Sequence, residues 1–309
     1  MRIPFLAGLC FSVATVFAND PTDSSAILQA QLKKIDSVES TLHYKTGKIT
    51  VGNGIATINV PQNFKFLDAA EAKYIVEVIW GNLKGQSPLG MLVPAGSAAS
   101  VADYAFLVEY QDLGYVKDDD ATKINYDDLL LQLKKESADG NEARRKAGIP
   151  AMDLVGWAAA PYYDKAHNVL HWAKEYKVEN YNENTLNYDV RVLGRKGVLV
   201  FQAVSDISQL DSVKQNIAPL LNAVSFTSGN AYADFDSKTD NVAAWTIGGL
   251  VAGKVLAKVG FFAIILKFLK VILLSIGGIG TAIWKFFKGR KKEEPALAYD
   301  ALVPDELQH

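Results

Sequence analysis

The sequence predicts an α+β fold, antiparallel β-hairpins in a sheet with helices packed on it, followed by a C-terminal transmembrane helix. Three observations predict it. Two pairs of alternating, β-branched runs are each joined by a short glycine-containing turn. Stretches with apolar residues at helical spacing stand between the strands. One long apolar stretch, Val259 to Trp284, runs directly into the basic segment Lys-Phe-Phe-Lys-Gly-Arg-Lys-Lys at 285–292. About 20 apolar residues span a bilayer, and clustered Lys and Arg stay on the cytoplasmic side.

Taken in order, Met1-Arg2 gives a positive start and Phe5 to Phe17 an apolar stretch. Val16 and Ala18 are the small residues a signal peptidase reads, so residues 1–18 are expected to be a signal peptide and Asn19 the mature N-terminus. Residues 19–25 read as a flexible leader. Ile27, Leu28, Leu32, Ile35 and Val38 fit one face of a helix over 26–38, with Ser24 or Ser25 as its cap. Lys48–Val51 and Ile55–Val60 flank Gly52-Asn53-Gly54, the strongest hairpin signal in the chain. Pro61 ends the second strand, and Phe64 and Phe66 form a further short apolar pair. Asp68 is placed to cap a helix over 69–80 with Ala72, Ile75, Val76 and Ile79 on one side. Strands are expected at 89–93 and 105–110 around a small-residue loop, 94–100. Leu129, Leu130 and Leu133 mark a helix over 125–139. Strands follow at 153–160, 169–176, 186–193 and 198–204, the last two joined by Gly194-Arg195-Lys196-Gly197 as a second hairpin. A helix is expected over 210–224. Helices are expected to cover one face of the strands.

The resulting organisation is a signal peptide (1–18), an extracytoplasmic domain (19–240), a juxtamembrane segment (241–258), a transmembrane helix (259–284) and a cytoplasmic tail (285–309). Lys267 and Lys270 fall inside the long apolar stretch, where lysines are costly unless they snorkel. Three other arrangements therefore stay open: a span over 243–266 with an interfacial helix after it, a two-span hairpin, and a wholly interfacial anchor. Gly277-Gly278-Ile279-Gly280 would let a second helix approach closely, which keeps a homo-oligomer open.

Composition narrows the function classes. A formal charge of −2 over 309 residues argues against nucleic acid as a partner, because such proteins carry a basic face. The single cysteine, Cys10, lies in the signal, and Leu9 before it is not the small residue lipidation requires. The mature chain then has no disulfide, no thiolate nucleophile and no cysteine zinc site. There is no Gly-x-Ser-x-Gly elbow, no phosphate-cradling loop and no dinucleotide fingerprint, so no cofactor and no catalytic residue are assigned.

Asp118, Asp119 and Asp120 form the densest acidic cluster, beside Tyr115 and Lys117. Adjacent carboxylates can bind a hard cation or shift one another's pKa, but such a loop more simply caps the helix that follows it. Arg191 and Arg195 flank the second hairpin turn near Tyr188 and offer a fork for a carboxylate or phosphate; the competing reading pairs them with Asp189 or Asp127. These five residues are the binding candidates. Asp234, Asp236 and Asp240 lack the glycine and distal glutamate of a calcium loop and read as a polar linker. His167 and His171 lie four apart on an expected strand, too far along it to share a metal. No metal site is assigned.

Several stretches together resemble a family of bacterial membrane-anchored proteins, domain of unknown function 2167. They are Ile55–Pro61 with Phe64–Leu67, Trp80-Gly81-Asn82, Gly114–Ala121, Gly156-Trp157 with Pro161, Leu186–Gly197, and Tyr232–Phe235. The resemblance runs in order through nearly the whole mature chain. It implies an exported protein anchored in the inner membrane of a bacterial envelope, and it carries over no reaction or site residue. The expected function is a non-catalytic binding or interaction domain for an envelope protein, glycan or lipid. One alternative is a subunit of a membrane complex acting through its transmembrane segment. Another is an extracytoplasmic hydrolase using Asp118–Asp120 with Arg191 and Arg195.

Overall fold

The computed structural model describes residues 21–82, 84–85 and 87–255, and side chains from Gln29 onward. The expected signal peptide, the transmembrane helix at 259–284 with its lysines, and the cytoplasmic tail lie outside the described residues. Among the described residues, no helix is long and apolar enough to cross a membrane.

The architecture is α+β. Strands β1 (Gly47–Val51), β2 (Ala56–Val60) and β10 (Val224–Phe226) form a three-stranded antiparallel sheet in the order β1-β2-β10. The larger sheet orders β3 (Phe64–Asp68), β4 (Gly90–Pro94), β5 (Phe106–Gln111), β9 (Val198–Asp206), β8 (Thr185–Leu193), β7 (Val169–Val178) and β6 (Met152–Asp164). All its pairings are antiparallel. Both hairpins read from the sequence are present. In the first, Gly52, Asn53 and Gly54 all take positive φ, which is why the turn needs those residues.

Because side chains alternate along a strand, each paired row places its residues on one face. Phe64, Phe66, Phe106, Val108, Phe201, Val190 and Tyr188 line one face of the large sheet. They pack against Ile58 of the small sheet and Val213, Ile217 and Leu220 of α4 (Leu210–Asn222). The opposite face is covered at its two ends. Leu67, Met91, Val93 and Leu107 lie under α2 (Ala69–Tyr74), which is capped by Asp68 as expected and runs on as a π turn, Ile75–Ile79. Leu170, Trp172, Val198 and Val200 lie under α3 (Tyr126–Lys146) and α5 (Ile247–Ala252). Helices thus cover both faces, not the single face expected. A seven-stranded sheet has two apolar faces to bury, and a strand pattern does not say which helix goes to which.

Three further boundaries differ. The leader is helical: α1 (Pro21–Glu39) begins at a proline, a residue suited to a first helical turn. Glu39 at its end accepts hydrogen bonds from the Ser100 backbone N–H (3.1 Å) and hydroxyl (3.0 Å) and from the Tyr44 hydroxyl (2.5 Å). Strand β6 does not stop at residue 160 but continues through Pro161 to Asp164 with three register shifts. Packing also continues past Asp240. Ala243, Ile247, Leu250 and Val251 are buried in the core under α3, the three larger side chains each contributing about 1.5–3 kcal/mol. The apolar residues from 243 to 251 are therefore part of the domain core, which is why this stretch looks hydrophobic.

Candidate functional site

After β5 the chain runs through Gly114–Val116 into a turn at Asp118–Lys123, closed by Ala121 N–H donating to the Asp118 carbonyl (3.1 Å) and Lys123 N–H to the Asp120 carbonyl (2.9 Å). One side of this turn meets the C-terminal end of β6 around a pocket of about 350 Å³. Asp118, Asp119, Ala121 and Thr122 line it from the turn, Tyr126 from the start of α3, and Pro161, Tyr162, Tyr163 and Lys165 from β6 and the residue after it. The Tyr163 hydroxyl donates to Asp118 Oδ2 at 3.2 Å. Burial and the Asp118 carboxylate raise the Tyr163 phenol above its ordinary pKa. Burial, with a smaller contribution from Asp120, pushes Tyr126 up to about 12. Its hydroxyl is buried with no hydrogen-bond partner. Tyr162 is 60% exposed and stands edge-on to His171, ring centroids 5.5 Å apart.

The three aspartates have separate roles. Asp118 and Asp119 line the pocket. Asp120 turns the other way and accepts from the backbone N–H of Ile247 and Gly248, both at 3.1 Å, at the first turn of α5. The helix that follows in sequence, α3, is capped by Asn125 instead. The expected capping of the following helix is thus not made; Asp120 caps a helix 127 residues downstream, a partner that no local pattern announces.

Neither arginine lines the pocket, and each is occupied. Arg195 Nε and Nη2 hold Asp240 in a fork (2.7 and 3.1 Å), while Nη1 donates to the Gly229 carbonyl (3.2 Å). This pairing lowers the Asp240 carboxyl below its usual range. The partner is neither Asp189 nor Asp127. Arg191 does pair with Asp189 (3.4 Å), donates to Gln111 Oε1 (2.7 Å) and lies over the Trp172 ring (5.2 Å). The convergence of carboxylates and arginines that the hydrolase alternative needs is thus not formed. Among the described residues, no group of three or more His, Cys, Asp or Glu is placed to hold a metal. His167 instead meets Asp164 at 2.6 Å.

A second polar cluster was missed. Glu109 on β5, Gln202 on β9, Asp189 and Arg191 on β8 and Lys174 on β7 share the face of the large sheet between α2 and α5. Burial pushes Lys174 down to about 8, against the pull of Asp189; it donates to the Val251 carbonyl at 3.0 Å. Burial raises Glu109. Trp172 Nε1, Asn187 Oδ1 and Arg191 Nε are buried there without a partner. The signal was available: Asn187-x-Asp189-x-Arg191 alternates in step with Leu193, so the polar residues share the inward face of β8.

The family profile described as "Protein of unknown function (DUF2167)" matches residues 43–280. No curated protein matches. Among solved structures, the solution structure of cyanobacterial PsbP (CyanoP) from Synechocystis sp. PCC 6803 is similar at 12% identity, covering 58% of this chain and 91% of that one, with a TM-score of 0.33. The Saccharomyces cerevisiae Ran-binding protein Mog1p is similar at 9% identity, covering 60% and 96%, with a TM-score of 0.32.

Proposed function

The chain belongs to the DUF2167 family of proteins of unknown function, and on that premise we propose that it is an exported, membrane-tethered recognition domain whose ligand site is the pocket at Asp118–Tyr126. The observation that carries the reading is the composition of that pocket. Both charge signs line it, the Asp118 and Asp119 carboxylates and the Lys165 ammonium, and Asp118 is already held by the Tyr163 hydroxyl. Acceptors (Asp119, Thr122) and donors (Lys165 and the phenols) share the lining with Tyr162 and Pro161. A neutral polyhydroxyl ring suits such a lining, its C–H face on the aromatic rings and its hydroxyls between donors and acceptors. The ligand class is therefore a saccharide, in keeping with a domain held outside the cytoplasm by a C-terminal span.

Two experiments test this. A thermal-shift screen of the purified full-length chain against a saccharide panel should find a stabilising ligand, and Tyr162→Ala should abolish that shift while leaving the ligand-free melting temperature within about 2 °C. A panel without any shift, or a shift that survives Tyr162→Ala, removes the pocket from the reading. For the tether, alkaline phosphatase fused after Val255, beyond the packed core, should be active and fused after His309 inactive. The reverse pattern overturns the topology.

A further inference from the structure

Asp120 sits between two pocket-lining residues, Asp119 and Ala121, yet its own side chain is committed to the segment that ends the described chain. That segment, residues 240–252, is fastened to the domain at successive points. Arg195 forks onto Asp240. Tyr115 N–H donates to the Asn241 carbonyl and Ala243 N–H to the Tyr115 carbonyl, both at 2.8 Å, adding residue 242 as a short parallel bridge. The Tyr115 ring stacks between Tyr232 and Phe235, centroids 4.5 and 3.8 Å away. Asp120 and Thr246 satisfy the first N–H groups of α5. Lys174 takes the Val251 carbonyl at its other end, and Lys254 pairs with Glu136 of α3. Gly253 then turns the chain out with a left-handed φ of 71°. The expected span begins six residues after that glycine.

We infer that the turn Asp118–Lys123 is a coupling element: its pocket side senses the ligand and its Asp120 side holds a C-terminal clasp, residues 240–252, so that occupancy is transmitted to the segment leading toward the membrane. The inference rests on the pocket being the ligand site, and it assigns that site an output. The turn is six residues closed by two overlapping hydrogen bonds, and Asp119 and Ala121 are the covalent neighbours of Asp120, so a shift of either is passed to it. A carboxylate shared by two backbone N–H groups is charge-assisted and steep in distance and angle. The reverse direction is required by linkage: a clasp that favours one position of the turn favours one state of the pocket. On the pocket wall, the Tyr163 hydroxyl on Asp118 is the residue-level handle, since its hydrogen bond goes to the turn.

Hydrogen exchange on the purified full-length chain, with no ligand added, tests the coupling. Asp120→Asn, which removes the charge, should raise amide exchange across 241–252 by at least about tenfold, while β7–β9 exchange at their wild-type rates. Tyr163→Phe, which keeps the ring and removes only the hydroxyl bonded to Asp118, should raise exchange in the same clasp residues by about threefold or more. Wild-type exchange at 241–252 in Tyr163→Phe overturns the coupling, and so does an increase spread evenly over the sheet. If Asp120→Asn does not fold, Tyr163→Phe alone decides. A clasp that responds in a chain no saccharide stabilises supports the coupling and rejects the saccharide, so the two readings fail separately.

Discussion

An alanine at residue 197 would place its Cβ 2.2 Å from the Gln111 carbonyl oxygen and 2.7 Å from the Tyr110 hydroxyl. The β8–β9 turn is pressed against the end of β5, and backbone cannot move aside as a flexible side chain can. Gly197→Ala should therefore destabilise the domain by about 3 kcal/mol, read as a lower urea midpoint with an unchanged slope. Gly114→Ala acts elsewhere: its Cβ would stand 2.7 Å from the Asn241 carbonyl and its φ is +82°, so the damage should appear first as faster exchange at 241–243. Arg195 teaches a related lesson about legibility. The sequence marked it as a fork for a carboxylate, and it is one, but the carboxylate is Asp240 of the same chain. The type of chemistry was readable from the residue. The partner was set by tertiary folding across 45 positions, which no local pattern records.

Strand β6 is the exposed edge of a seven-stranded sheet, and its outer backbone groups would invite another strand. Helix α3 closes its first half with side chains. Asn141 Oδ1 accepts from Met152 N–H (2.8 Å), the Ser137 hydroxyl donates to the Met152 carbonyl (2.6 Å), and Leu154 N–H donates back to Ser137 (3.1 Å). Three register shifts from Leu154 onward and Pro161 irregularise the rest. Asn141 is only 5% exposed, so Asn141→Ala leaves the Met152 N–H without its partner. It should cost about 2 kcal/mol in urea denaturation and increase concentration-dependent aggregation, which light scattering would register. Helices and hairpins with local signals were legible here: both glycine turns, the Asp68 cap and the leucine stripe of α3 stand where the sequence puts them. The elements defined by distant pairing were not. Strand β10 is three residues long and exists only because it meets β2, and β6 outruns its proline because an edge strand tolerates one.

At the scale of the whole molecule, the sheet face between its two helical covers carries an ionic row where an apolar stripe would serve stability better. Lys174 dominates the pH response. Its folded pKa, about 8, lies below the ordinary 10.5 because burial disfavours the charged form. Between those values the unfolded chain binds more protons, so stability rises with pH. The charged ammonium thus costs about 3 kcal/mol at pH 7, and that cost is relieved progressively as pH climbs from 8. The tyrosines act in the opposite sense. Burial holds Tyr110 and Tyr126 up at about 12 and raises Tyr44, Tyr163, Tyr176 and Tyr232 as well. Above pH 10 the unfolded phenols ionise first, and stability falls. Urea midpoints measured across pH 7 to 11 should therefore rise between about 8 and 9 and drop from about 10 upward. Lys174→Met should flatten the rise and leave the drop, with stability at pH 7 equal to or above that of the parent chain. Because the same ammonium holds the Val251 carbonyl, the variant should also exchange faster at the end of α5. A stable domain with a loosened C-terminal segment would show that the buried lysine is kept for where it places the clasp, at the expense of the fold that surrounds it.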